Sequence, residues 1–304
     1  MLVRMKQATP SSARKTLRPL KGVRVLSLAL NLPGPAALMR LAQLGATCVK
    51  IEPPSGDPMQ HYSQSAYAQL HQGVKVRSAD AKSDKGMAII HAELAKADVL
   101  ITSFRPSALV KLGLGWKALH KLYPALCQVS IVGACGERAE EPGHDLTYQA
   151  EHGLVNGQSL PATLYADMGG SLAATEAVLA ALRQRDQHKT GKGIHLEVGL
   201  AESAGYLALP RAWGMTTPKG MVGGLHAGYQ VFACKDGRVA LAALEPHFAK
   251  RLCEAAGVAD SSLKSMTSAK TTGAVAKFLA SQTRKALDKL AVEKDIPLHT
   301  LPQA

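Results

Sequence analysis

An α/β fold built around a parallel sheet follows from three observations on the sequence. Short apolar runs rich in Val, Leu and Ile alternate with helix-patterned stretches over the first two thirds of the chain. The first pair of such runs is joined by a Pro-Gly-Pro turn and one short helical segment, the spacing of a β-α-β unit. A Gly-rich stretch near residue 220 then precedes two apolar runs flanking an Asp-Gly dipeptide, which signals a hairpin and a smaller α+β unit.

The elements follow in order. Val23-Arg24-Val25-Leu26-Ser27-Leu28 reads as a buried strand. A helix over 35–44 has Pro35 in its first turn and Gly45 as its stop. Thr47-Cys48-Val49-Lys50-Ile51 is the next strand, which completes a unit of Rossmann-like class. The Gly-x-Gly-x-x-Gly fingerprint is absent, so no NAD is expected. A helix over 85–96, a strand Asp98-Val99-Leu100-Ile101, a helix over 116–122 and a strand over 127–132 repeat the pattern. Ala and Leu at helical spacing predict a long buried helix over 169–185, and 195–200 alternates as a strand. The expected organisation is a basic tail over 1–19, a large domain over 20–214, a linker over 215–228 and a small domain over 229–304. In the last, strands over 229–233 and 238–243 precede helices over 246–256 and 272–293.

Composition narrows the function. Hydrophobic residues make up 46% of the 304 and charged residues 19%, a globular balance, and no run approaches the ~20 apolar residues of a membrane span. The net charge of +13 calls for an anionic partner. Aromatics at 4%, with no zinc knuckle or basic zipper, argue against nucleic acid, and a ligand with several phosphates would use the same charge. Five cysteines, odd in number and never spaced as Cys-x-x-Cys, predict reduced thiols in a cytoplasmic setting and no metal site. No acidic residue precedes Glu52, a presequence-like feature; Pro10 and Pro19 favour a basic tail over a mitochondrial helix.

Three acid–base candidates stand out: His144 in Gly143-His144-Asp145, Asp167 before Met168-Gly169-Gly170, and Glu245 before Pro246. Each has an ordinary structural role open to it: a loop hydrogen bond for His144, a helix N-cap for Asp167, and solvent exposure for Glu245. A carboxylate at a helix N-terminus faces free N–H groups and the positive end of the dipole, which favours the ionised form of Asp167. The two glycines beside it would leave room for a bulky substrate.

From Leu20 to about Pro302 the chain resembles the family III CoA-transferases and α-methylacyl-CoA racemases. The matching stretches include Leu20-Lys21-Gly22-Val23-Arg24-Val25-Leu26, Gly34-Pro35, Lys50-Ile51-Glu52-Pro53-Pro54 with Gly56-Asp57-Pro58, Phe104-Arg105-Pro106, and Thr190-Gly191-Lys192-Gly193. The resemblance implies coenzyme A as the carrier of the substrate thioester, and an interlocked homodimer with the site between domains. It implies Asp167 as the central catalytic residue, and Arg105, Lys75, Lys50 and the backbone at Gly34 near CoA. In the racemases a His in Gly-His-Asp, paired with a Glu before Pro-x-Phe, serves the opposite face of the substrate. Here those positions are His144 and Glu245.

Racemisation needs a base on each face of a planar enolate, and the retained trio tilts the expectation toward α-proton transfer on a 2-methylacyl-CoA. The alternative is CoA transfer between carboxylic acids through an aspartyl intermediate. A further alternative is a non-catalytic basic protein that binds acyl-CoA or nucleic acid. The chain also departs from the family's pattern. Gln43 and Ser107 replace an Asp and a Gly, Met59-Gln60 stands where an Arg is expected, and the glycine loop reads Gly133-Ala134-Cys135-Gly136-Glu137-Arg138-Ala139.

Overall fold

The computed structural model describes residues 17–303, so the expected basic tail lies, up to residue 16, outside the described residues. The chain divides into two compact units, the first ending at Leu207 and the second starting at Ala208. No helix among the described residues is long and apolar enough to cross a membrane.

The first unit carries the expected parallel sheet. Its strands are β1 (Arg24–Ser27), β2 (Thr47–Glu52), β3 (Val74–Ser78), β4 (Val99–Thr102), β5 (Cys127–Val132) and β6 (His195–Gly199), in the order β3-β2-β1-β4-β5-β6. All five pairings are parallel. This is a doubly wound order whose direction reverses between β1 and β4. Strand residues alternate between the two faces. Val25, Cys48, Ile101, Val129 and Val198 pack against Leu38 and Leu41 of the Pro33–Gln43 helix and against Ala174, Val178 and Leu182 of the Tyr165–Gln187 helix. Leu26, Val49, Ile51 and Leu100 pack on the other side against Ile90, Leu94, Leu109 and Leu119. Because both faces are covered, these strands read as nearly continuous apolar runs.

Several elements differ from the sequence expectation. Strand β3 was not anticipated: it is an edge strand, paired only to β2, and its exposed Lys75 and Arg77 dilute the apolar signal. Leu200, expected as the end of a strand, begins the Leu200–Leu207 helix. The long helix starts at Tyr165, so Asp167 sits in its first turn rather than ahead of it.

The second unit holds an antiparallel sheet ordered β7-β8-β9, made of β7 (Tyr229–Cys234), β8 (Gly237–Ala242) and β9 (Leu298–Leu301). The Asp-Gly hairpin lies where expected, and Asp236 also accepts a hydrogen bond from the Arg284 N–H at 2.7 Å. The single helix expected over 272–293 is two, Ala269–Ala280 and Arg284–Lys294. Thr283 makes the break: its hydroxyl accepts from the Ala286 N–H at 3.3 Å and starts a new helix. These helices and Pro246–Ala256 bury Leu252, Val275, Leu279 and Leu287 against Val239 and Leu241 of β8.

Candidate active site

The topology fixes where a ligand can sit in the first unit. In an open α/β sheet the loops leaving the carboxyl ends of the strands diverge where the strand order reverses, and leave a crevice there. A cavity of about 440 Å³ occupies that place, lined by Asn31 after β1, Ser103 and Arg105 after β4, and Gly133 after β5. The loops are tied together by the Leu30 N–H, which donates to Ser103 Oγ at 3.1 Å. Asn31 adopts a left-handed backbone, φ 64°, and its N–H donates to Asp57 Oδ1 at 3.0 Å.

Asp167 and His144 both line this cavity. His144 is the exposed N-cap of the Asp145–Glu151 helix, its N–H donating to Thr147 Oγ1 at 3.1 Å. Asp145, one residue on, is buried and points inward. One of its oxygens accepts from the Asp167 N–H at 3.0 Å and the other from Gln149 Nε2. Asp145 therefore caps the beginning of the next helix, where Leu164 offers no side-chain cap.

This arrangement reverses the electrostatics expected from the sequence. Asp167 does not cap the helix, and its carboxyl is not held in the ionised form. Burial, and then the Asp145 carboxylate beside it, push Asp167 up to about 7. Desolvation and a like charge outweigh the helix dipole here. Burial, and then the charge of Asp167, raise the phenol of Tyr148, which also lines the cavity. A Cβ on Gly133 or Gly143 would lie 2.3 or 2.5 Å from the Tyr148 oxygen, so both glycines make room for that ring.

The glycines after Asp167 serve packing instead of substrate access, which corrects a second expectation. A Cβ on Gly170 would meet Leu200 Cδ2 at 2.3 Å, and one on Gly169 would meet Leu207 Cδ1 at 3.0 Å. They let the Tyr165–Gln187 and Leu200–Leu207 helices approach closely. In the loop after β5 the N–H groups of Cys135 and Gly136 donate to Glu202 (2.9 Å) and Glu197 (3.0 Å), so these two amides are already engaged.

The residues expected near CoA separate into distinct environments. Arg105 is exposed on the cavity rim. Beside it Ser107 is locked to Glu140 through its N–H at 2.7 Å and its hydroxyl at 2.9 Å, a local use for the serine that replaces the family's glycine. Lys75 is exposed on edge strand β3. Gly34 is buried at the start of the Pro33–Gln43 helix, where a Cβ would lie 2.2 Å from Ala29 Cβ; it serves a close backbone approach and does not line the cavity. Glu245 lies in the second unit, exposed at the N-cap of the Pro246–Ala256 helix.

Lys50 is the clearest correction. It is 0% exposed, and its ammonium is held by Asp57, by Glu52 at 3.0 Å and by His71 Nε2 at 2.9 Å. No part of it is free for a phosphate. Because an ammonium only donates, His71 Nε2 accepts, and the protonated Nδ1 donates to the Tyr67 carbonyl at 2.7 Å. Burial holds His71 below the usual imidazole range, in keeping with that neutral tautomer. Glu52, Asp57 and His71 have the spacing of a metal site, but the lysine already supplies the cation they surround. Asp57 also fixes the Asn31 and Met59 amides, so the cluster braces one wall of the cavity from behind.

Comparison with known proteins identifies the family. The model of CoA-transferase family III matches residues 20–303. The human succinyl-CoA:glutarate CoA-transferase is 29% identical over 257 residues, covering 77% of this chain and 58% of its own length. The human α-methylacyl-CoA racemase is 28% identical over 267 residues, covering 82% of this chain and 68% of its own. The chain thus spans little more than half the length of the first of these. A CAIB/BAIF family protein from Brucella suis shares the fold, with a TM-score of 0.76 at 24% identity over 93% of this chain and 83% of that one. With the family model matched from β1 to β9 and the doubly wound sheet shared, the chain belongs to CoA-transferase family III.

Proposed function

We propose that this protein acts on a 2-methylacyl-CoA thioester and moves the proton α to the thioester carbonyl. The observation that carries this reading is the pairing in one cavity of His144 with an Asp167 whose carboxyl is pushed up to about 7. A group with that affinity both takes and returns a proton near neutrality. The Asp167 carboxylate would accept the α-proton, and the C–H electron pair would pass to the thioester oxygen as an enolate. His144 would deliver a proton to the opposite face. Arg105 at the rim and Lys75 supply positive charge for the CoA phosphates, in line with the net charge of +13. The homodimer belongs to the same reading, and light scattering tests it.

CoA transfer is the second reading, favoured by relatives named as CoA-transferases, the human glutarate protein among them. In it the Asp167 carboxylate attacks the thioester carbonyl and releases CoA thiolate, leaving an aspartyl anhydride; the thiolate then attacks the Asp167 carbonyl of that anhydride, releasing the free acid and leaving an Asp167–CoA thioester, with no second base needed. Incubation in deuterated water separates the two. Proton transfer predicts solvent deuterium at the α-carbon with no acceptor acid present. An Asp167–CoA adduct by mass spectrometry, with a required free acid and no deuterium, would replace the first reading by the second.

A further inference from the structure

One titratable group in the candidate active site is used by neither reading, the phenol of Tyr148. Its ring packs among Ala134, Ala166, Ala201 and Ala204, which come from the loop after β5 and from the Tyr165–Gln187 and Leu200–Leu207 helices. That nest fixes where the tip of the ring lies. The oxygen is 2.3 and 2.5 Å from where a Cβ on Gly133 or Gly143 would stand, and both glycines line the cavity. Tyr148 is 7% exposed, and its hydroxyl makes no hydrogen bond among the described residues. Unlike the unpaired oxygen of Gln149, it is not sealed from solvent. What surface it has opens on the cavity.

Ala166 in that nest precedes Asp167, and Gly143 at the tip precedes His144, so the hydroxyl sits close to both groups proposed to handle the α-proton. The thioester carbonyl is bonded to the carbon those groups serve, and its oxygen falls in the same part of the cavity. Negative charge gathers on that oxygen in either chemistry, as an enolate when the α-proton leaves or as a tetrahedral oxyanion when Asp167 adds. Several amides nearby are already committed. The Asp167 N–H goes to Asp145, the His144 N–H to Thr147, and those of Cys135 and Gly136 to glutamates. The phenol is uncommitted. Burial, and then the charge of Asp167, raise it, so it keeps its proton through the neutral range and remains a donor.

We propose that the Tyr148 hydroxyl donates a hydrogen bond to the thioester carbonyl oxygen of the substrate and stabilises the negative charge that collects there. This deepens the acyl-CoA reading and rests on it. The phenol keeps its proton throughout; the charge on oxygen returns to carbon when the enolate is protonated, or expels the CoA thiolate from the tetrahedral adduct. The probe is 2-methylpropanoyl-CoA labelled with carbon-13 at the thioester carbonyl, and the variant is Tyr148→Phe. This change keeps the packed ring and removes an oxygen with no partner in the protein, so the thermal midpoint is expected to hold. CoA affinity by calorimetry is expected within about two-fold of the parent, while α-hydrogen exchange in deuterated water slows about 10²-fold, as on losing one oxyanion donor. If the parent transfers CoA instead, the same loss is expected in that rate. In difference infrared spectra the labelled carbonyl is expected to stretch at lower frequency on the parent than on Tyr148→Phe, because the hydrogen bond weakens the C=O bond. Equal carbonyl frequencies, or a rate lowered by less than about three-fold, would overturn the proposal and leave the acyl-CoA reading standing. A much lower thermal midpoint in Tyr148→Phe would make the hydroxyl structural and overturn it too. A Tyr148-dependent carbonyl shift on a parent that neither exchanges nor transfers would keep the donor and remove the proposed reaction. A parent that does not bind the probe would overturn both.

Discussion

Two groups of acids stand at the same edge of the large sheet, and they are built in opposite ways. Around Lys50, the carboxylates of Glu52 and Asp57 share one ammonium, with Tyr67 and His71 completing the shell. Around Asp167, the neighbouring charge that shifts the carboxyl is another carboxylate, Asp145, and burial is not offset by a cation. The paired cluster has a cation between its two acids and its hydrogen bonds made, which suits a brace. The unmatched pair holds a proton loosely near neutral pH, which suits chemistry. Charge compensation, more than burial, separates scaffold from site in this unit.

The largest effect that would break this contrast is on turnover. Asp167→Ala is expected to lower acyl-CoA turnover by about 10³-fold or more, as loss of an essential acid–base group or nucleophile does. The fold should persist, since Asp145, not Asp167, caps the helix start. Near-full turnover in a stopped assay with an acyl-CoA panel would remove Asp167 from the chemistry.

The converse change belongs to the brace. Lys50→Met leaves Glu52 and Asp57 buried without their cation and is expected to destabilise by about 3–5 kcal/mol, read by urea denaturation. Lys50→Met with Asp57→Asn should recover part of that loss. A Lys50→Met protein of unchanged stability with weakened CoA binding would restore Lys50 to the ligand site.

The strand and helix order was legible in the sequence, this contrast was not, and the misreadings have physical causes. The β-α-β order was readable because strands buried on both faces carry their own signal, as Val25 to Leu28 and Val99 to Ile101 do. Asp167 and His144 were found by motif, but the sign of the Asp167 shift was not. That sign depends on Asp145, 22 residues away in sequence, and on burial by other elements. Asp145 was in view within Gly-His-Asp, yet nothing local shows which way its carboxylate turns. Lys50 offered a stronger hint: a lysine inside a strand buried on both faces must find an acid, and Gly56-Asp57-Pro58 stands close by. The break at Thr283 was also readable as an N-cap, hidden by a continuous helical pattern on either side.

The rim sharpens the comparison at intermediate size. Arg105→Ala is expected to weaken CoA binding by about ten-fold by calorimetry, with turnover at saturation less affected, because a phosphate contact is the same in ground and transition states. Unchanged CoA affinity would remove Arg105 from the site.

A finer test acts on the pair itself. Asp145→Asn keeps the oxygen that accepts from the Asp167 N–H but removes the like charge. Asp167 should then titrate lower, though still above an ordinary carboxyl, since burial is the larger cause. The limb of the pH–rate profile assigned to Asp167 should move toward acid by a fraction of a unit to about one unit. A profile that does not move would mean that Asp145 is not charged where it lies.

The smallest effect is on stability, and its sign is the useful part. An acid whose folded-state affinity for protons exceeds its unfolded one stabilises the fold when protonated, and the fold loses that contribution as pH rises. For Asp167 the loss runs from its ordinary value of 3.8 to about 7, and above that range the buried charge is a full penalty. Asp167→Asn removes the charge and keeps the shape. It should therefore melt at the same temperature as the parent near pH 4 and higher at pH 8, by at most about 10 °C, each kcal/mol being worth about 2–4 °C in a unit of this size and the partial exposure of Asp167 reducing the effect. A variant that melts lower at pH 8 would show that the ionised carboxylate is stabilised by groups facing it. Asp167 would then resemble the compensated acids around Lys50, and its claim to act as a proton carrier near neutrality would fall.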